Sequence, residues 1–275
     1  MNLSSANSVK NILEKFNIKP KKNLGQNFLI DNNILQKIVD EANIKPDDII
    51  LEVGPGIGTL TQELANKANQ VIAVEKDETM CKILKENLKD FKNIKIINED
   101  ILKFKNKEKK YKVIANIPYY LTSPLIRKFL EEGNQPEEII LMIQKEVAQR
   151  ICAKAPNINL LAISVQFYAE SKIIFNVSKN CFWPIPRVDS AIIKITPNKV
   201  SYKIDSNLFF KIVKAGFSQP RKQLGGNLSK TLKIEKEKIN KILLENNLKP
   251  TQRAETLTIE DWKKLSKSFG FLKIF

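Results

Sequence analysis

From Ile49 to Ile143 short unbroken apolar runs alternate with stretches whose apolar residues fall three and four positions apart. Runs of the first kind suit strands covered on both faces, and the second kind suits amphipathic helices packed on them. Ile49–Val53, Val71–Glu75, Ile94–Asn98, Val113–Ala115 and Ile139–Ile143 read as strands; Leu60–Ala68, Thr79–Leu88 and Leu125–Glu132 read as helices. Such alternation predicts a parallel sheet with helices on both faces. Two further strands, Lys172–Val177 and Ala191–Ile195, joined through Trp183-Pro184-Ile185-Pro186, are expected as an antiparallel pair at the sheet edge. Ser8–Phe16 and Ile34–Ala42 read as helices, separated by a basic, flexible segment at Lys19–Gly25. From Asn207 the pattern is helical only, at Leu208–Phe217, Ile234–Leu244 and Ile259–Ser268. A boundary is expected near Pro197–Asp205, giving an α/β domain over 1–200, with 1–30 as a basic N-terminal segment, and a small all-α domain over 201–275.

Charge sharpens that division. Lys and Arg number 46 against 30 Asp and Glu, a formal net charge of +16 in 275 residues. An excess of this size draws polyanions, with nucleic acid first and an anionic membrane surface second. Only five of the basic residues are Arg, which a Lys-rich codon bias would also produce. The placement argues for more than bias: residues 1–30 carry +4, residues 201–275 carry +9, and the middle only +3. Histidine is absent, which removes Ser-His-Asp and Cys-His pairs, His-ligated zinc and His general bases. Cys81, Cys152 and Cys181 are odd in number and form no CxxC pair, as suits free thiols in a reducing compartment. No apolar run reaches the roughly 18 residues a membrane span needs, and Lys10, Glu14 and Lys15 interrupt any signal-peptide core. A soluble cytoplasmic protein is expected.

Candidate chemistry gathers at the strand ends. Glu52-Val53-Gly54-Pro55-Gly56-Ile57-Gly58-Thr59 joins the first strand to a helix. Glycines there permit positive φ and let backbone approach a ligand. A dinucleotide fingerprint would need glycine at position 59, which is Thr59. The spacing E-x-G-x-G-x-G looks instead like the S-adenosylmethionine loop of the Rossmann-like methyltransferases, with a purely structural turn as the alternative. Glu75 ends the second strand, where an acid accepts ribose hydroxyls in nucleotide-binding α/β folds. Asp100 follows the third strand and could accept from the amine of a cofactor adenine. Asn116-Ile117-Pro118-Tyr119 closes the fourth. The Asn oxygen and the Ile117 carbonyl can each accept one hydrogen of an exocyclic amine, while the Tyr119 ring stacks on the heterocycle. Taken singly, each is as well explained by a cap, a proline turn or a surface charge. Four successive strand ends so furnished match the place where open parallel sheets bind ligands.

These residues resemble the ribosomal RNA adenine N6,N6-dimethyltransferase family over nearly the whole chain. Gly25-Gln26-Asn27-Phe28-Leu29, Met142–Arg150, Phe182–Ala191, Phe217–Leu224 and Arg253–Leu257 are similar to its further motifs. The resemblance implies a Rossmann-like class I methyltransferase fold, mostly parallel with an antiparallel edge strand, followed by a helical rRNA-binding domain. It implies S-adenosyl-L-methionine as methyl donor, held by Asn27, Leu29, Gly54, Glu75, Asp100 and Asn116, and no metal. It implies that Asn116, Ile117, Pro118 and Tyr119 hold the target adenine and that Phe182 stacks on its other side, where the alternative for Phe182 is a core aromatic. Lys21, Lys22, Arg187, Arg221 and Lys222 are the expected RNA contacts.

The implied substrate is two adjacent adenosines in the 3′-terminal hairpin loop of small-subunit (16S) ribosomal RNA, methylated during assembly of the immature small subunit. A monomer without membrane attachment is expected. Two positions depart from the family pattern. Pro220-Arg221-Lys222 stands where two arginines and a lysine are usual, which puts one phosphate contact in doubt and predicts that a helix starts or kinks there. Leu160-Leu161 replaces a tyrosine-glycine pair, predicting a local repacking. The rivals are a large-subunit adenine dimethylase of the resistance type, a non-catalytic assembly factor on the same fold, and a DNA adenine methylase, whose holder has proline where Ile117 stands.

Overall fold

The structure is a computed structural model describing residues 3–21, 24–198 and 204–271. Seven strands make one sheet: β1 Ile49–Val53, β2 Gln70–Glu75, β3 Ile94–Asn98, β4 Lys112–Asn116, β5 Glu138–Gln144, β6 Ala169–Val177 and β7 Ser190–Pro197. Their order is β3-β2-β1-β4-β5-β7-β6. The first five run parallel. β7 pairs antiparallel with both β5 and β6, so β6 forms the edge and the later strand lies inside it. The strands are apolar runs because both faces are covered: Ile50, Leu51, Val113, Ile114, Ile139 and Leu141 have no exposed surface. Strand order reverses between β1 and β4, which opens a crevice at their carboxyl ends.

Side-chain caps fix three of the helices that frame this crevice. α1, Ala6–Lys15, starts where the Ser5 hydroxyl accepts from the Ser8 amide, and it buries Val9, Ile12 and Leu13. These pack with Ile57, Met80, Ile83 and Leu84, beside the glycine loop. α2, Asn32–Glu41, is capped by Asp31. α3, Thr59–Ala65, follows Gly58 directly, and α4, Glu78–Asn87, is capped by Asp77. α5, Thr122–Glu131, and α6, Lys145–Ile151, complete the set. Phe28–Leu29 pairs antiparallel with Phe182–Trp183, a two-residue ladder that ties the N-terminal motif to the Phe182–Ala191 segment.

The described chain divides into two compact units, 1–148 with 169–197, and 149–168 with 198–275. The division corrects the expected boundary, because Gln149–Tyr168 lies inside the anticipated 1–200 domain yet belongs to the second unit. The reason is aromatic and apolar: Phe167 stacks on Phe209 with centroids 4.2 Å apart, and the Ile158 amide donates to the Glu255 carbonyl at 3.1 Å. This unit holds α7 Leu160–Gln166, α8 Ser206–Gly216, α9 Leu224–Leu232, α10 Lys236–Glu245 and α11 Ile259–Phe271, around buried Phe209, Trp262 and Phe269. α7 and α9 carried no expectation. Pro220 neither starts nor kinks a helix; it is exposed in the turn between α8 and α9. Leu160 opens α7 at 38% exposure, beside the Asn159 cap. Among the described residues no helix is long and apolar enough to cross a membrane.

Candidate functional site

The carboxyl ends of β1, β2, β3 and β4 surround a cleft of about 250 Å³. Asn27, Leu29, Gly54, Glu75, Asp100, Asn116, Ile117, Pro118, Tyr119 and Phe182 all line it. The sequence scattered these residues over 156 positions, and the fold brings every one of them to the same cavity. The turn after β1 carries Gly54, Gly56 and Gly58 at φ +65, +59 and +97°, a left-handed series that side-chain-bearing residues rarely adopt. Lys21, Arg187, Arg221 and Lys222 do not line the cleft, and Lys22 lies outside the described residues.

Three carboxylates meet the cleft in different electrical states. Glu75 is mostly buried, and burial pushes its pKa up, while amides of Asp77, Gly56 and Lys76 donate to the carboxylate and pull back. The Asp77 amide stands 2.8 Å from its Oε1. Glu52 is 1% exposed, and Oε2 has no hydrogen-bond partner among the described residues. Burial raises its pKa to about 8, with the nearby Thr61 hydroxyl lowering it and the Glu75 charge raising it, so Glu52 is largely protonated at neutral pH. Asp100 goes the other way: Lys76 Nζ at 2.9 Å and the Leu102 amide at 3.0 Å hold its pKa down.

Two hydrogen bonds and one close packing contact fix the Asn116–Tyr119 holder. Asn116 Nδ2 donates to the Asn27 carbonyl at 3.4 Å, which leaves Oδ1 to accept. Gly25, at φ +63°, packs so close to Pro118 that a Cβ there would sit 3.1 Å from the proline Cβ. The glycine of the N-terminal motif is therefore the seat of the proline bend. Tyr119 is half-buried, and its hydroxyl shares a hydrogen bond of 2.9 Å with the buried Ser190 Oγ, which anchors the ring at its far end. Ile117 is 2% exposed and Phe182 also 2%. Phe182 packs within the core against Leu29, Ile114 and Ile192 and reaches the cleft from there, so it is a core aromatic that also lines the site.

Sequence reasoning missed several of these supports. Asp77 caps α4 and takes Lys21 Nζ at 2.8 Å and Gln26 Nε2 at 3.3 Å. Burial alone would raise its pKa, but these donors and the Thr79 amide outweigh burial and lower it. Lys21, an expected RNA contact, thus has its ammonium on Asp77. An acid just ahead of the Thr79–Leu88 apolar pattern was a readable cap signal. Tyr120, 54% exposed, stands at the rim of the cleft.

The donor set suits S-adenosylmethionine. Glu75 offers a ribose diol two acceptor oxygens held by amides, and Asp100 keeps lone pairs for an adenine amine. The orphaned Glu52 Oε2 would gain a partner from a polar group placed beside the glycine turn. Among the described residues no group of three or more Cys, Asp or Glu side chains is arranged to hold a metal ion.

A family model described as ribosomal RNA adenine dimethylase matches residues 6–265. The chain is 45% identical to a ribosomal RNA small subunit methyltransferase A of Alkaliphilus oremlandii, over 98% of each chain. A dimethyladenosine transferase structure from Plasmodium falciparum superimposes with TM-score 0.79 at 28% identity, over 88% of this chain and 96% of that one. The 23S rRNA methyltransferase ErmE gives TM-score 0.75 at 26% identity, over 89% of this chain and all of that one.

Proposed function

The chain belongs to the ribosomal RNA adenine dimethylase family, and on that premise we propose how and where it acts. It transfers methyl groups from S-adenosylmethionine to the N6 amines of two adjacent adenosines in the 3′-terminal hairpin loop of small-subunit ribosomal RNA. The substrate is the immature small subunit in the cytoplasm, and the enzyme works as a monomer. The observation that carries this reading is Asn116: its Nδ2 is committed to Asn27, so Oδ1 is the acceptor beside the Ile117 carbonyl.

When bound, the cofactor supplies an electrophilic methyl group on a sulfonium. The chain's own residues then orient more than they react. An adenine amine is a poor nucleophile because its lone pair is delocalised into the ring. Asn116 Oδ1 and the Ile117 carbonyl accept its hydrogens, align the lone pair and favour a pyramidal nitrogen as positive charge develops. The charged product is a strong acid and loses its proton to water, so a chain without histidine is competent for this chemistry. Tyr119, anchored on Ser190, supplies the stacking face for a base drawn out of its hairpin loop. Glu75, Asp100, Gly54, Asn27 and Leu29 hold the donor. Arg187, Arg221 and Lys222 are exposed and available to phosphates, the last two in the turn before α9. The second unit serves as the rRNA-binding domain, by virtue of the +9 charge over 201–275.

The large-subunit alternative is the weaker one: likeness to the 23S methyltransferase is 26%, against 45% for the small-subunit relative. Incubation with labelled S-adenosylmethionine and immature small or large subunits, followed by location of the modified nucleoside, separates the readings. Label confined to the large subunit would overturn the proposal, and cofactor binding without transfer would point to an assembly factor.

A further inference from the structure

Residues 103–110, within the segment joining β3 to β4, carry Lys103, Lys105, Lys107, Lys109 and Lys110 against a single acid, Glu108; Glu99 and Asp100 precede them. All five lysines are exposed. Among the described residues none of them makes an ion pair. Two acids that sense these lysines are already matched: Asp100, which feels Lys103, holds Lys76 at 2.9 Å, and Asp48, which feels Lys110, holds Lys112 at 2.7 Å. The eight residues 103–110 thus carry a net charge of +4, with no ion pair to their lysines among the described residues.

The loop is also built rather than slack. The Lys103 and Phe104 amides donate to the Asp100 carbonyl at 2.8 and 3.0 Å. Asn134 Nδ2 donates to the carbonyls of Asn106 and Glu108, both at 3.0 Å, and the Tyr111 hydroxyl donates to the Asn134 carbonyl at 2.7 Å. Like charges held close together on a fixed frame repel one another, so the arrangement lowers stability unless a polyanion meets it. Its position matters as much as its charge. Leu102, 40% exposed, lines both the methyl-transfer cleft and a second cavity of about 300 Å³ under the loop. Of the three lysines that line this cavity, Lys128 lies 3.0 Å from Glu132, while Lys103 and Lys105 belong to the loop itself. The exposed ammonium groups on the outer side are what a partner would meet.

From this we infer that residues 103–110 are a second RNA-contact surface, gripping the phosphodiester backbone of the strand that flanks the target adenosines. The inference rests on the proposed activity toward small-subunit RNA and gives it a contact on the catalytic unit itself. The test compares two variants of equal net charge. Lys105→Gln/Lys107→Gln/Lys109→Gln alters the loop, and Lys85→Gln/Lys89→Gln/Lys92→Gln removes three exposed charges in and just after α4. Binding to immature small subunits is measured against salt at fixed magnesium, with thermal unfolding as the folding control. The loop variant should lower the slope of log K against log salt by about 2 to 3 and weaken binding by about tenfold or more, while the α4 variant stays near the wild type. Cofactor affinity and the transfer rate at saturating subunits should be unchanged in both. A loop variant with the wild-type slope, or two variants shifted equally, would overturn the inference. A wild type that leaves the small subunit unbound and unmethylated would overturn the proposed function instead.

Discussion

Replacing Glu52 by glutamine swaps one neutral group for another at the floor of the cleft, and its consequence is a change in pH dependence. In the folded chain burial holds the Glu52 pKa at about 8, against 4.5 in the unfolded chain. Between those values the folded state binds a proton that the unfolded state has lost, so stability falls as pH rises. The contribution is present in full below pH 4.5 and is lost as pH passes 8. At about 1.4 kcal/mol per pKa unit, the interval corresponds to about 5 kcal/mol. Glu52→Gln lacks this dependence. It pays a pH-independent penalty of about 1 to 3 kcal/mol for amide hydrogens that find no acceptor. Urea unfolding of cofactor-free protein from about pH 5 to pH 9 reads the difference. The wild type should lose several kcal/mol more than the variant across that range. Parallel profiles would mean that Glu52 is ionised in the fold and that the burial argument fails.

Three other substitutions probe the holder. Tyr119→Phe leaves the buried Ser190 hydroxyl without its partner and should cost about 1 to 3 kcal/mol in unfolding free energy. Ser190→Ala in the same background should add little, and additive losses would show that the two hydroxyls act separately. Gly25→Ala adds a Cβ at φ +63° against Pro118; left-handed strain alone is worth about 1 to 2 kcal/mol, and the transfer rate should fall because the proline bend moves. A rate equal to wild type would separate Gly25 from the holder. Ile117→Val removes one buried methylene at a cost of about 1 kcal/mol and, by enlarging the space beside the amine, should shift the ratio of monomethyl to dimethyl product. An unchanged ratio would take Ile117 out of the account of the second transfer.

The sheet was legible because each central strand is an apolar run, with a glycine turn or a polar residue at its carboxyl end. Those same ends carried the chemistry, so Glu75, Asp100 and Asn116 could be placed together from spacing alone. What escaped the sequence depended on long-range packing. α9 was hidden by Gly225-Gly226 and Asn227, which interrupt its apolar pattern; a Cβ at Gly225 would sit 2.8 Å from Asn240 Oδ1 and 3.2 Å from the Pro250 carbonyl oxygen. Residues 149–168 read as part of the first domain because chain order says nothing of Phe167 stacking on Phe209. Glu52 looked like an ordinary motif acid, and only its burial makes it a protonated one. The lysines of 103–110 vanished into the +3 of the middle segment, since a sum over so long a window cannot register +4 confined to one loop.

Single-turnover methylation of immature small subunits at saturating S-adenosylmethionine, wild type against Asn116→Ala, tests the central claim most directly. Removing an acceptor used chiefly as charge develops should slow transfer by about 10²-fold or more, with N6,N6-dimethyladenosine formed by the wild type on the small subunit. The subunit should still bind to the variant. A variant that transfers at the wild-type rate would contradict the assignment of Asn116 Oδ1 as the group that holds the amine.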